Sequence, residues 1–319
     1  PAATRPSDGA SLPRTAVPPA RSRPPAATTT AASPRSAAPP PAATHGAPSG
    51  RAPSAPAPRS RAATSTVPGR APSDPKALIR AARSWGYQLQ HLDVAEAAAS
   101  SFDLLVIDHS LDGSAEGALA PADVERLKRK PDGGRRLVIA YLSIGEAESY
   151  RAYWRPEWTK AESRPSWLLG ENPDWEENYS VCFWDPAWQQ LFFGSPGAYL
   201  DIILDQGFDG VYLDKCDIYD DLRRHYPRIA AGRPTIERDM VDFVSRLSGH
   251  ARSKRPGFLI IMQNAEGLLA DADLRSAIDA VAKEELYFGL DKPERPNSTE
   301  DVDWSRGERM FLPLALLAV

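Results

Sequence analysis

Gly207-Phe208-Asp209-Gly210-Val211-Tyr212-Leu213-Asp214-Lys215-Cys216-Asp217 reads as a short buried strand that ends in acid. Phe208, Val211, Tyr212 and Leu213 are strand formers, and Gly207 marks a turn just before them. Successive strand side chains alternate faces. Asp214 is therefore expected to share a face with Phe208, Gly210 and Tyr212, while Val211 and Leu213 point towards covering helices. A carboxylate closing an apolar strand costs free energy unless it is paired or meets water. A helix-capping or salt-bridged aspartate satisfies that condition as well as a reactive one does. The segment by itself leaves both open.

Outward from this stretch, apolar runs alternate with helical patterns. Trp85–Gln90 reads as a first strand, Leu104–Asp108 as a second, Leu137–Ser143 as a third and Tyr179–Phe183 as a fourth. After the organising strand come Phe258–Met262, Ala280–Glu285 and, as an eighth, Met310–Val319. Helical segments are expected at 76–83, 93–100, 121–130 and 235–252; in the last, Ile236, Met240, Phe243, Val244 and Leu247 recur at helical spacing. A further helical region up to Gln206 is interrupted at Gly194–Gly197. Strands alternating with helices imply parallel pairing, and seven or eight of them imply an α/β fold of the (β/α)₈ TIM-barrel type over residues 74–319. The sequence stops inside the eighth strand at Leu314–Val319, so the last β/α unit is expected to be incomplete. No Gly-x-Gly-x-x-Gly follows the first strand, which argues against a dinucleotide site.

The first 73 residues differ from the rest. The span 1–75 holds 18 of the 31 prolines and no Trp, Tyr, Phe, Ile or Lys. It cannot bury enough apolar surface to offset its ordering entropy, so residues 1–73 are expected to be a disordered Pro/Ala/Ser/Thr/Arg-rich linker. Nine arginines against Asp8 and Asp74 give 1–75 a charge of +7, and with −4 for the whole chain residues 76–319 carry −11. The arginines are sparse and lack aromatic neighbours on which bases would stack, and the body is acidic; nucleic acid is not an expected partner. No apolar run is long enough for a membrane span. A Pro/Ala/Thr-rich stalk before a globular body fits a secreted or envelope-associated protein, and a monomer is expected. Cys182 and Cys216 match no metal pattern, and a disulfide or two free thiols both fit.

In a barrel of this kind, active groups gather at the C-terminal strand ends. Those ends carry Asp108, Glu146, Glu148, Asp185, Asp214, Asp217, Asn264, Glu266, Glu284 and Glu285. One such acid is ordinary; a rim of them points to chemistry or cation binding. No Gly-x-Ser-x-Gly elbow and no His-Glu-x-x-His is present, the histidines are poorly placed for a metal, and the calcium-loop spacing is absent. Carboxylate pairs with aromatics are what glycoside hydrolysis needs. On the seventh strand Glu284 shares a face with Ala280 and Ala282, which leave room for a ligand, so Glu284 is favoured over Glu285. A rim salt bridge, for instance with Lys283, is the plain alternative. Trp154, Trp158, Trp167 and Trp175 lie among prolines and charges. They either pin a loop by burial or offer ring faces to sugar, and both readings can hold for different tryptophans.

Several stretches together resemble glycoside hydrolase family 114, the endo-α-1,4-polygalactosaminidase-like barrels. They are Trp85–Leu89, Ala140–Glu148 with Tyr150-Arg151 and Tyr153-Trp154, Glu171–Trp175, Phe183–Gln189 and Gly207–Asp217, and the likeness runs from about residue 84 to 290. The resemblance implies a secreted or surface TIM-barrel glycosidase that cleaves an α-1,4-linked galactosamine polymer internally and with retention. It implies Asp214 as nucleophile and Glu284 as general acid/base, with the exchange of roles open. Tyr87, Asp108, Ser143, Glu146, Trp184, Asp185, Asp217 and Asn264 would bind the sugar, and no metal or organic cofactor is implied. A polymer of protonated amines would be drawn to the acidic body, less so in salt. An α-glycosidase of other specificity, or a non-catalytic polysaccharide-binding envelope protein, are the competing expectations.

Overall fold

The computed structural model describes residues 74–284 together with the backbone of Leu317–Ala318. The expected linker, Glu285 and residues 310–316 and 319 of the expected eighth strand lie outside the described residues. The main sheet contains β1 (Trp85–Gln88), β2 (Leu104–Ile107), β3 (Leu137–Ser143), β7 (Gly210–Asp214), β8 (Leu259–Gln263) and β9 (Ala280–Ala282), each parallel to the next. This is a six-stranded parallel sheet of the TIM-barrel kind. The last described strand, β10 (Leu317–Ala318), pairs antiparallel with β9 and so is not the parallel eighth strand expected there.

The segment expected as the fourth barrel strand belongs elsewhere. Residues Asn178–Val181 form β6, which pairs antiparallel with β4 (Glu146–Glu148) and β5 (Leu168–Glu171) in a separate three-stranded sheet. In the main sheet β3 is bonded directly to β7, with Ser143 opposite Asp214. Gly145 permits this closure. A Cβ there would lie 2.2 Å from the Lys215 carbonyl oxygen and 2.8 Å from Ile218 Cβ, so only glycine lets the two strand ends approach.

Helices follow local signals. Asp74 caps α1 (Pro75–Ala81) by accepting from Lys76 N, and Asp93 caps α2 (Val94–Ala99) through Ala95 N and Glu96 N. Then come α3 (Pro121–Leu127), α4 (Pro186–Gln189) and α5 (Tyr199–Gln206), the last ending at Gly207 in the left-handed region. They are followed by α6 (Ile218–His225), α7 (Pro227–Ala231), α8 (Ile236–Lys254) and α9 (Ala272–Ala277). The apolar stripe of α8, including Met240, Phe243, Val244, Leu247 and Ala251, is fully buried.

Alternation splits the core in two. Leu105, Ile107, Val138, Ala140, Val211, Leu213, Ile260, Met262 and Val281 pack in the helix-side core. Leu104, Val106, Leu137, Ile139, Tyr141, Tyr212, Leu259, Ile261, Ala280 and Ala282 form the inner cluster, which Ile79 of α1 joins. Phe208 falls in the helix-side core, because it precedes the strand and escapes its alternation.

One device recurs at the strand entrances. Asp103, Asp209 and Asp279 each stand immediately before a strand, namely β2, β7 and β9. Each carboxylate accepts a backbone N–H from the preceding segment of the sheet: Arg83 at 2.9 Å, Val138 at 3.0 Å and Ile260 at 2.9 Å. Each also takes cations: Lys130 on Asp103, Lys128 and Arg135 on Asp209, Arg252 and Lys76 on Asp279. Five residues on, an odd step that changes face, stand Asp108, Asp214 and Glu284. Asp209 is buried, so Asp209→Ala should cost about 3–5 kcal/mol, since it leaves the charge of buried Lys128 without its counter-ion and the Val138 N–H without its acceptor. Exposed Asp242→Ala should cost at most about 1 kcal/mol. Urea unfolding of both variants checks the contrast.

Candidate active site

Asp214 ends β7 on the inner face. Its Oδ2 accepts from the Tyr141 hydroxyl at 2.5 Å and its Oδ1 from the Lys215 backbone N–H at 2.7 Å. Burial, with the Glu284 charge adding, pushes its carboxyl up to about 7 against the pull of these hydrogen bonds and of Lys215. Lys215 itself is held in the left-handed region at φ 59°, a strained conformation for a non-glycine residue. Asp217, at the start of α6, is pushed up to about 6, first by burial and then by Asp221 and Glu284.

Glu284 stands exposed just past β9, and Asn264 orients it. The Asn264 amide nitrogen donates to Glu284 Oε2 at 3.1 Å, and the Glu284 backbone N–H donates to Asn264 Oδ1 at 3.2 Å. Asn264 and Ala265 both have φ 54°, so the backbone after β8 is strained as it is after β7. The Glu284 charge also acts on Tyr212 below it. Lys283 points away and pairs with Glu266 at 2.9 Å. The rim salt bridge set out as the alternative is thus made by a different acid.

The remaining residues singled out in the sequence divide into two groups. Tyr87 is 44% exposed and packs edge-on against Tyr212, 5.6 Å between ring centroids. Ser143 lies opposite Asp214 and donates to the Glu146 carbonyl. Glu146 is buried, accepts from Asn172 Nδ2 at 2.8 Å and faces Lys215 Nζ at 3.5 Å. Burial holds its carboxyl above the usual range despite these partners. Asp108 is further committed: both its oxygens accept from Arg151 Nη1, and Arg151 also holds Glu148. Asp185 caps α4 through Ala187 N, and Trp184 packs on Phe183 with the Arg233 guanidinium over its ring. Both thiols are free, and Cys216 is buried. Among the described residues no group of three His, Cys, Asp or Glu side chains could hold a metal ion, and no helix is long and apolar enough to cross a membrane.

The tryptophans resolve into two kinds. Trp158 packs edge-on against Trp154 and Trp167, and Trp167 packs on Trp188, so these rings pin the loop between β4 and β6. Trp175, at the turn between β5 and β6, is 55% exposed. Three residues before it, Asn172 holds Glu146, which ties this turn to the site.

A parallel barrel sheet with acids gathered at its C-terminal strand ends defines a domain of the barrel glycoside-hydrolase class. Residues 64–295 match the model described as Glycoside-hydrolase family GH114, and the chain belongs to that family. It is 39% identical over 208 residues to an uncharacterized protein of Methanocaldococcus jannaschii, covering 64% of this chain and 56% of that protein. Over 219 residues it is 36% identical to an uncharacterized protein of Thermotoga maritima, covering 68% of this chain and 64% of that protein. The matched region is thus under two thirds of the length of these relatives. The glycoside hydrolase domain of PelA from Pseudomonas aeruginosa shares the fold, with a TM-score of 0.50, 21% identity, and coverage of 71% of this chain and 78% of that one.

Asp214 supplies a pH test. Its carboxyl rises from about 3.9 in the unfolded chain to about 7 in the folded one, so the folded state favours its neutral form. That contribution to stability is complete below pH 4 and lost as pH climbs through 7. Asp214→Asn is neutral throughout. Its melting temperature minus that of the wild type should therefore rise by about 10 °C between pH 4 and pH 8. A flat difference across parallel melts would contradict the burial of this charge.

Proposed function

We propose that the protein is a retaining, endo-acting glycoside hydrolase whose substrate is an α-1,4-linked, amine-bearing galactosamine polymer. The observation that carries the reading is the pair of acids at one rim, Asp214 ending β7 and Glu284 just past β9, whose Ala280 and Ala282 face the interior. Asp214 is the nucleophile. Both its oxygens already accept hydrogen bonds, an arrangement that orients a charged carboxylate. Its oxygen attacks the anomeric carbon as the bond to the leaving oxygen breaks, and Glu284 gives that oxygen a proton. Glu284, now ionised, takes a proton from water; the water oxygen attacks the anomeric carbon and frees Asp214. Asn264 keeps Glu284 in place for both steps.

Charge supports this substrate class. Residues 76–319 carry −11, and Asp108, Glu146, Asp214 and Asp217 all sit where burial disfavours their ionised forms. A cationic sugar relieves that penalty and brings Asp214 into its reactive state. Exposed Trp175 serves as an outer platform, its ring faces open to a further unit of the chain.

Release of oligosaccharides from purified, partly deacetylated galactosaminogalactan tests the reading. Wild type should cut, and folded Asp214→Asn and Glu284→Gln should each lose at least about 10³-fold in rate. NMR of the first product should show the α-anomer; a β-anomer sinks retention. If polymer binds and is never cut, the protein is a polysaccharide-binding one.

The pH profile assigns the roles. A nucleophilic Asp214 must be ionised, so kcat/KM on a short neutral α-glycoside should rise with pH through about 7. Glu284→Gln removes a charge that raises this pKa, so the residual activity should have its limb at lower pH. A limb that falls through 7 would make Asp214 the acid. Trp175→Ala should slow cleavage of long chains and leave short ones unaffected, as rates against oligomers of graded length would show.

A further inference from the structure

One polar side chain in the middle of the site has an amide oxygen with no hydrogen-bond partner among the described residues. Gln263 closes β8 and is only 4% exposed. Ile261 belongs to the inner cluster, and Ile260 and Met262 to the helix-side core, so alternation turns Gln263 inward. The β7–β8 register pairs Leu213 with Met262, and one residue further it sets Asp214 beside Gln263. On its other side Gln263 pairs with Ala282, two residues before Glu284. Gln263 thus occupies the strand between the two acids.

Its Oε1 is buried without a hydrogen-bond partner. The other amides here are engaged, Asn264 with Glu284 and Asn172 with Glu146. A buried acceptor left unmatched lowers stability, and such groups are scarce in folded proteins. Beside it, Ala280 and Ala282 present only methyl groups to the interior, so neither competes for the Gln263 amide. A ring that reaches from Asp214 on β7 to Glu284 past β9 must cross β8, where Gln263 is the inward residue.

We propose that Gln263 is a substrate-binding residue whose amide oxygen accepts a hydrogen bond from a hydroxyl or ammonium group of the sugar held between Asp214 and Glu284. The inference rests on the glycoside-hydrolase reading above. It explains why a polar side chain is kept where leucine or methionine would pack without an unmatched oxygen.

The test uses the full chain as wild type, Gln263→Met and Gln263→Asn. Each is melted alone and with galactosamine oligosaccharides, either fully deacetylated or N-acetylated, and cleavage of the same oligosaccharides is timed. Gln263→Met should melt no lower than wild type without glycan, because it loses only an unmatched polar group. Its glycan-induced rise in melting temperature should shrink, and kcat/KM should fall about 10-fold. Gln263→Asn keeps the amide but withdraws it by one methylene, and should lose substrate likewise. A larger loss on deacetylated oligomers assigns the donor to the ammonium, and equal losses assign it to a hydroxyl.

The inference is overturned if Gln263→Met melts several degrees lower, or if it keeps the wild-type glycan shift and rate. If wild type cuts and Gln263→Met cuts equally well, hydrolysis stands and this inference fails. If wild type binds glycan without cutting it, hydrolysis fails, and Gln263 stands or falls on whether the Met variant loses the shift. If wild type neither binds nor cuts, both fail.

Discussion

Asp209 accepts a hydrogen bond from the Val138 backbone N–H while Lys128 and Arg135 neutralise it, and this contact locks β7 against β3 at one register. A slip of one residue would turn every side chain of β7 to the other face. Asp214 would then point at the helices, and Leu213 would enter the inner cluster. The same clasp recurs at Asp103 and at Asp279, and from each the chain runs five residues to an acid on the opposite face. The lower acid is matched by N–H groups and cations on the helix side. The upper acid emerges inside, at the C-terminal end of its strand. Placement of the candidate catalytic groups is therefore set by polar contacts at the far end of the sheet, where substrate never reaches.

The two ends use the same residue type under different physics. At the lower end a carboxylate meets opposite charge and backbone donors, which offset its desolvation. At the upper end Asp214 has donors but, among the described residues, no ion-pair partner, and burial pushes its carboxyl up to about 7. Left-handed non-glycine residues also gather here, Lys215 after β7 and Asn264 and Ala265 after β8. Strain, raised carboxyl pKa values and an unmatched amide thus concentrate at one rim, and the clasps, the inner cluster and the α8 stripe hold that rim in place.

Much of this was legible in the sequence because it depends on local pattern. The strands around Leu104, Leu137, Val211 and Ile260 and the helix over 236–254 follow from periodicity and end signals, and the family likeness rested on motifs that lie at the strand ends. What depended on pairing was not legible. Residues 178–181 have the composition of a strand, but nothing local says that their partners are β4 and β5. Counting them as a barrel strand separated β3 from β7. With that separation, Tyr141 reads as an apolar filler of an apolar run; only direct β3–β7 pairing brings its hydroxyl to Asp214. One signal for the true order was in hand. Gly145, between a strand and an acid, marks a close backbone approach, and the approach is to the Lys215 carbonyl.

The clasp and the rim together bear on what kind of substrate can convert this site to its working form. Asp108, Glu146, Asp214 and Asp217 stand on one rim, at or just past the C-terminal ends of β2, β3 and β7, while the nearby cations Arg151 and Lys215 are held by Asp108, Glu148, Glu146 and Asp221. A neutral glycan bound over such a rim displaces water and makes every carboxylate harder to ionise. A glycan that carries ammonium groups also displaces water, but it brings compensating charge to within contact range, where low dielectric makes that charge count most. The first kind of ligand moves Asp214 away from the ionised state that the proposed nucleophilic role would require, and the second moves it towards that state. Selectivity for a cationic polymer would then reside in the protonation of the nucleophile as much as in any single contact, and it would appear in kcat as well as in KM.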